Sequence, residues 1–260
     1  MKIVIFTSDG IRHKYFANSL RKYVDETLVI SEYKKTIKTD KEKSTSTLEK
    51  HFQLRNVTEK KFFPDNDFFH DKVISIAYKE ANSEQIFQIV KKFNPDLMVV
   101  FGSSIIKEPL LSLKPGRFIN LHLGLSPYYR GSGTNFWPFI NKELEYVGST
   151  ILHLDPGIDT GDIITHVIPR FEIGDNVHTV GCKVIQESVN IFYKIIENVK
   201  QGKELKRTKQ LEVLDSKYYK NSDFNEDILK KYIKNLENGI IENYLTATKK
   251  QLKLITLDND

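Results

Sequence analysis

Leu97-Met98-Val99-Val100-Phe101 is an unbroken apolar run set between Asn94-Pro95-Asp96 and Gly102-Ser103-Ser104. A strand that alternates apolar and polar residues covers one face of a sheet, whereas a continuous run of this length has to be covered on both. It therefore predicts a central strand of a parallel sheet with helices on either side. The neighbouring segments read the same way. Lys2 to Thr7 is β-rich and apolar, breaks at Ser8-Asp9-Gly10, and gives way to a helical stretch through Tyr23. Strand, turn and helix in that order open an α/β unit. Thr27–Ser31 and Lys72–Ala77 read as further strands, and Asn82-Ser83-Glu84-Gln85 has the residue types that open a helix, here one running to about Lys92. The lysine-rich stretch from Lys34 to Lys61 reads as an exposed helix or loop, with His51, Phe52 and Leu54 available to tuck part of it inward.

Beyond the central run, Pro109–Leu113 is read as a short helix and Phe136–Ile140 as a core-facing one, with Trp137 packing. Ile163–Ile173 reads as a strand interrupted by Pro169 at a sheet edge. Asp175 or Asn176 then caps a long helix whose apolar residues, from Val177 to Val199, recur at helical spacing until Gln201-Gly202 stops it. Residues 1–205 are thus one α/β, Rossmann-like, doubly wound domain with a mostly parallel sheet. Residues 206–260 form a short, mainly helical extension: a loop or hairpin around Tyr218 and Tyr219, then one amphipathic helix carrying Leu229, Tyr232, Ile233, Leu236, Ile240, Ile241 and Tyr244. That apolar face would pack on the main domain or on a second copy, which makes a homodimer conceivable.

With 260 residues the chain can bury a sizeable core without covalent staples. The lone Cys182 excludes an intrachain disulfide and any multi-cysteine metal site, and its helical apolar surroundings favour a buried structural thiol. The apolar run in MKIVIFTSDG is too short for a signal peptide or a membrane span, so a cytoplasmic location without membrane attachment is expected. The net charge of +5 comes from interspersed lysines and acids, with no arginine-rich or aromatic-basic motif that would recognise nucleic acid. A small anionic substrate accounts for it more economically.

The polar chemistry is concentrated between Arg117 and Ile164. In Phe118-Ile119-Asn120-Leu121-His122, strand alternation sends Asn120 and His122 to one face. Ser149–Leu154 is another strand pattern, and it leads into the carboxylate-rich turn Asp155-Pro156-Gly157-Ile158-Asp159-Thr160-Gly161. An amide, an imidazole and a carboxylate that converge can stabilise an oxyanion and move a proton. The remaining histidines, among them His153, His166 and His178, lack paired metal-ligand spacing, so no catalytic metal is expected and His153 reads as structural.

Asn120-x-His122, Ser126-Pro127, Tyr129-Arg130-Gly131 and Asp159-x-Gly161 followed by Ile163 resemble, in order and approximate spacing, the signature of the formyltransferases that use 10-formyltetrahydrofolate. The resemblance spans roughly residues 1 to 205. It implies catalytic roles for Asn120, His122 and Asp159. It also implies folate contacts from the loop Gly102, Ser104, Ile105 and Ile106 and from Leu154, Gly157 and Ile158. The two isoleucines would equally serve to cover the core. Ser8, Asp9 and Arg12 would face the amine substrate, although an ordinary turn with Asp9 capping the helix is an equal reading. Tyr128 and Tyr129 would stack on a nucleotide base or pack their loop, and Arg130 would pair with a phosphate or tie that loop down. The implied reaction is formyl transfer from 10-formyltetrahydrofolate to a small-molecule primary amine, foremost that of a nucleotide-linked amino sugar. Glycinamide ribonucleotide or another amine is the alternative. The family members that act on initiator tRNA carry a larger barrel-type C-terminal domain, for which the extension here looks too short and too helical. A formyltetrahydrofolate hydrolase and a non-catalytic folate- or nucleotide-binding module complete the alternatives.

Overall fold

The computed structural model describes residues 1–33, 46–213 and 215–257. Residues 34–45 of the lysine-rich stretch lie outside the described residues. Seven strands form one sheet: β1 (Lys2–Ser8), β2 (Glu26–Tyr33), β3 (Lys72–Ala77), β4 (Leu97–Phe101), β5 (Phe118–His122), and then β7 (Ser149–His153) and β8 (Ile163–Val167), which follow a short strand outside the sheet, β6 (Tyr129–Gly131). Their spatial order is β3-β2-β1-β4-β5-β7-β8, with parallel pairing from β3 through β5 and only β7 reversed.

The apolar runs are covered on both faces, as a continuous pattern requires. Leu97, Val99 and Phe101 join Ile3, Ile5 and Val29 under α1 (Ile11–Arg21) and α5 (Val177–Lys200). Met98 and Val100 join Val4, Phe6, Leu28 and Ile30 on the other face, under α3 (Glu84–Phe93). Asn176 caps α5 by accepting from the amides of His178 and Thr179, and Ser83 caps α3 by accepting from the Ile86 amide. Helix α2 (Thr47–Phe62) lies against α1 and α5. Its His51 ring packs 4.4 Å from that of His178, whereas Leu54 stays exposed and Phe52 turns to the rim.

Three local expectations are corrected. Pro109–Leu113 forms turns, not a helix. The segment is too short to offset nucleation before Pro115-Gly116, and the Glu108 carboxylate takes the Ser112 amide that a helix would need. Around Tyr218 the described residues form no hairpin: β9 (Lys217–Tyr219) pairs in parallel with β6. The single C-terminal helix is two, α6 (Glu226–Glu237) and α7 (Ile240–Thr246), broken at Gly239, whose φ of +71° no helix interior adopts. Their apolar residues meet α4 (Trp137–Asn141), Tyr129 and Phe171 in a third core cluster. Past α7 the chain returns to the edge strand β8, where Ile255 accepts the His166 amide and donates its own to His166 Nδ1.

Burial holds the two facing histidines uncharged, with His51 pushed down to about 4 and His178 to about 3. Above pH 6.5 both are neutral folded or unfolded. Below it the unfolded chain takes up protons that the folded chain refuses, so stability falls as pH drops from 6.5 towards 3, by up to about 1.4 kcal/mol per unit from the buried His178. Calorimetric melting between pH 7.5 and 4 is expected to show a steeper decline for wild type than for His178→Gln. Equal slopes would mean that the folded chain protonates this ring.

Candidate active site

In this sheet the order of strands reverses between β1 and β4, and a cleft of about 810 Å³ opens beyond their carboxyl ends. Two short connections shape its floor. Ser8 Oγ donates to the Gly102 carbonyl at 2.6 Å, binding the ends of β1 and β4 together. Gly102 itself has φ +76°, and a Cβ there would stand 2.5 Å from His13 Nε2, so only glycine lets the His13 ring lie against the strand end and join the cleft wall.

Asn120 and His122 project from β5 on the face that Phe118 begins. Asp159 comes from the turn between β7 and β8, at φ +54°, a conformation that Asp tolerates better than most residues. The turn is fastened from within: the Asp155 carboxylate accepts from Thr160 Oγ1 at 2.9 Å and from the Gly157 amide at 3.1 Å. At Gly161 the chain passes so close to β7 that a Cβ would lie 1.9 Å from the His153 carbonyl oxygen. From outside the sheet, Gln210 Nε2 donates to the carbonyls of Asp159 (2.7 Å) and Gly161 (2.9 Å).

These constraints bring the three side chains together. Asn120 Nδ2 lies 3.4 Å from Asp159 Oδ1, and His122 Nδ1 lies 3.4 Å from Asp159 Oδ2. The other imidazole nitrogen, Nε2, is 3.3 Å from the Tyr129 carbonyl. Both ring nitrogens thus face acceptors. The turn after His122 is locked by Thr150 Oγ1, which donates to the Gly124 carbonyl and accepts the Ser126 amide. All three side chains line the cleft.

The residues expected to meet folate also border this space. Gly102, Ser104, Ile105, Ile106, Leu154, Gly157 and Ile158 all line it, with Ile105 54% and Ile158 47% exposed. Ser104 is less free than its position implies: its amide and hydroxyl both bond the buried Glu32 carboxylate. Ile106 is buried in the core beneath.

On the amine side the expectations divide. Arg12 lines the cleft. Ser8 and Asp9 do not, and Asp9 is not a cap, because Gly10 occupies the N-cap with no side-chain bond. Tyr128 and Tyr129 are packing residues. Tyr129 is fully buried, donates to Glu143 Oε2 and accepts from Asn141, while Tyr128 lies against Tyr146 and donates to the Lys253 carbonyl. Arg130 borders a separate depression with Thr160 and Gln210. Trp137 is stacked 4.1 Å from Tyr219. His153 and His166 each hydrogen-bond a backbone carbonyl, of Lys206 and Ser126, and burial lowers both below the usual imidazole range. Burial pushes the Cys182 thiol up to about 12, so it stays protonated. Sequence reasoning missed His13, Arg55 and Gln210, and weighed His178, which also lines the cleft, only as a metal ligand. Only His13 left a trace, in the glycine that ends β4.

Residues 1–196 match a family model described as formyl transferase. Among curated proteins, a methionyl-tRNA formyltransferase of Caldanaerobacter subterraneus subsp. tengcongensis is 30% identical over 145 residues, 55% of this chain and 47% of that protein. The chain spans about half the length, or less, of the curated relatives it matches. Two solved structures share the fold. A formyltransferase from Anoxybacillus kamchatkensis, in complex with UDP-4,6-dideoxy-4-formamido-L-AltNAc and tetrahydrofolate, has a TM-score of 0.52 at 20% identity and covers 92% of this chain and 93% of its own. A phosphoribosylglycinamide formyltransferase from Anaplasma phagocytophilum has a TM-score of 0.57 at 16% identity, covering 85% and 98%. With the family match running over residues 1–196 of 260, the chain belongs to the formyl transferase family.

Proposed function

We propose that this chain transfers the formyl group of 10-formyltetrahydrofolate to the primary amine of a nucleotide-linked amino sugar. The observation that carries the reading is the convergence of Asn120 and His122 on one Asp159 carboxylate at the cleft wall. As the amine nitrogen bonds to the formyl carbon, negative charge grows on the formyl oxygen. The second Asn120 N–H, and the His122 Nε2–H once it leaves its 3.3 Å contact with the Tyr129 carbonyl, are the donors for it. The bond from that carbon to the folate nitrogen then breaks, and the amine's proton ends on the departing nitrogen. Asp159 orients His122 and takes part in that proton movement, through water where the distance requires it. No side chain forms a covalent bond with the formyl group in this scheme.

The acceptor class is supported by the cleft's cationic side, where Arg12 and Arg55 stand, and by the fold neighbour that holds a UDP-linked formamido sugar beside tetrahydrofolate. Glycinamide ribonucleotide also joins an amine to a phosphate, and the same arginines favour it as the second reading. Incubation with 10-formyltetrahydrofolate and a panel of nucleotide-linked amino sugars and glycinamide ribonucleotide separates them. Tetrahydrofolate release and a product heavier by one formyl group are expected with a sugar nucleotide. Failure to bind folate would sink the proposal.

Replacing His122 by Ala, or Asp159 by Asn, is expected to lower turnover roughly a hundredfold or more, with tetrahydrofolate affinity nearly unchanged. Single-turnover assays at saturating folate check this. Gln210 acts through the Asp159 turn, so Gln210→Ala is expected to lower kcat about tenfold with little change in KM. Gln210→Glu should recover nothing, because a carboxylate cannot donate to two carbonyls. A Glu variant with wild-type kcat would remove Gln210 from the scheme.

A further inference from the structure

We propose that Arg12 and Arg55 form a subsite for the diphosphate of the acceptor, closed by α2; the assignment rests on the formyl-transfer reading above. Both residues line the cleft, and both guanidinium groups reach the same carboxylate. Arg12 Nε donates to Glu59 Oε1 at 2.7 Å, and Arg55 Nε lies 3.7 Å from that same oxygen. Glu59 is buried, with 5% of its side chain exposed. One carboxylate cannot neutralise two guanidiniums, and among the described residues no second carboxylate pairs with either. Burial, and then repulsion from Arg12, depress the Arg55 guanidinium below its ordinary range, with Glu59 opposing them. A positive excess is thus held in the cleft wall at an electrostatic cost that a bound anion would relieve.

The remaining charges give the cleft a direction. Its acidic residues, Asp155 and Asp159, come from the turn after β7, whereas Arg12 and Arg55 come from α1 and α2, and both acids are already engaged, one by Thr160 and one by His122 and Asn120. Lys220 adds a third cation to the wall. An acceptor with phosphates at one end and an amine at the other would therefore be oriented with its amine towards Asp159. The surroundings of Arg55 suit phosphate in particular. Its guanidinium carbon lies 4.8 Å from the Phe52 ring centroid, a cation–π contact that holds the group, and Glu59 faces only its Nε, so the terminal N–H groups can serve bidentate donation. Phe224 stands 6.0 Å from Phe52 and supplies an aromatic face beside the arginine for a nucleobase. Against the His51 ring, the His178 Nε2 atom is buried without a hydrogen-bond partner, in a residue only 7% exposed. This end of the cleft is therefore underfilled with polar partners as well as positively charged.

Calorimetric titration of inorganic pyrophosphate and of UDP into the full chain, and into Arg55→Gln and Arg55→Lys variants, tests the assignment, with tetrahydrofolate binding measured on the same samples. Both anions are expected to bind the wild type. Arg55→Gln should weaken each roughly tenfold, as the loss of one charge-assisted hydrogen bond predicts, and Arg55→Lys should weaken them less. Folate binding should be unchanged throughout. Equal pyrophosphate affinity in wild type and Arg55→Gln, or no binding to wild type, would overturn the subsite. Binding of pyrophosphate without UDP would overturn its assignment to a nucleotide. Tetrahydrofolate binding alongside absent pyrophosphate binding would leave formyl transfer standing, whereas absent tetrahydrofolate binding would strike that reading and not the arginines.

Discussion

A strand covered on both faces can carry a polar side chain only where a partner takes it, because otherwise the group is stripped of water with nothing in exchange. That constraint arranges this molecule. β4 is apolar throughout and β1 from Ile3 to Phe6; Thr7 and Ser8 follow at the carboxyl end of β1, where Thr7 Oγ1 donates to the Phe101 carbonyl and Ser8 Oγ to that of Gly102. β5 is short enough for Asn120 and His122 to emerge near its carboxyl end, beside the antiparallel β7 that delivers the Asp159 turn. The cleft is therefore a by-product of burial: chemistry gathers where the hydrophobic cover ends.

Much of this arrangement is written locally. A five-residue apolar run needs no tertiary information to be read as a two-faced strand, and alternation alone puts Asn120 and His122 on one side. The same reasoning fails where a residue's neighbour is remote in the chain. Tyr128 and Tyr129 look like exposed loop aromatics, but β9 pairs with their strand from nearly ninety residues away and encloses Tyr129 against Glu143. Arg55 sits on a helix whose sequence is mostly polar, and its place on the cleft wall depends on how α2 crosses α1 and α5. Gln210 is an isolated polar residue in an irregular stretch, and nothing short of three-dimensional proximity marks it. The Asn238-Gly239 break between α6 and α7 was visible as a glycine, yet apolar spacing on both sides disguised two helices as one.

Residues beyond the family match do more than extend the domain. Thr208 bridges to Ile163, Ile255 bonds to His166, and Lys217 and Tyr219 hold the loop that follows His122. The edge of β8 is covered by the chain's own later segments, which protects a ladder that would otherwise remain open to other chains. The Asp159 turn is held from two directions, by the β7 backbone at Gly161 and by Gln210.

The shared Glu59 carboxylate also has a bearing on how such a sequence can drift. Losing either arginine leaves an ion pair of ordinary stoichiometry, but losing Glu59 leaves two guanidiniums in repulsion with no common counter-ion. The three positions lie on two helices and form a single heritable unit, in which the acid is the last member that can be exchanged.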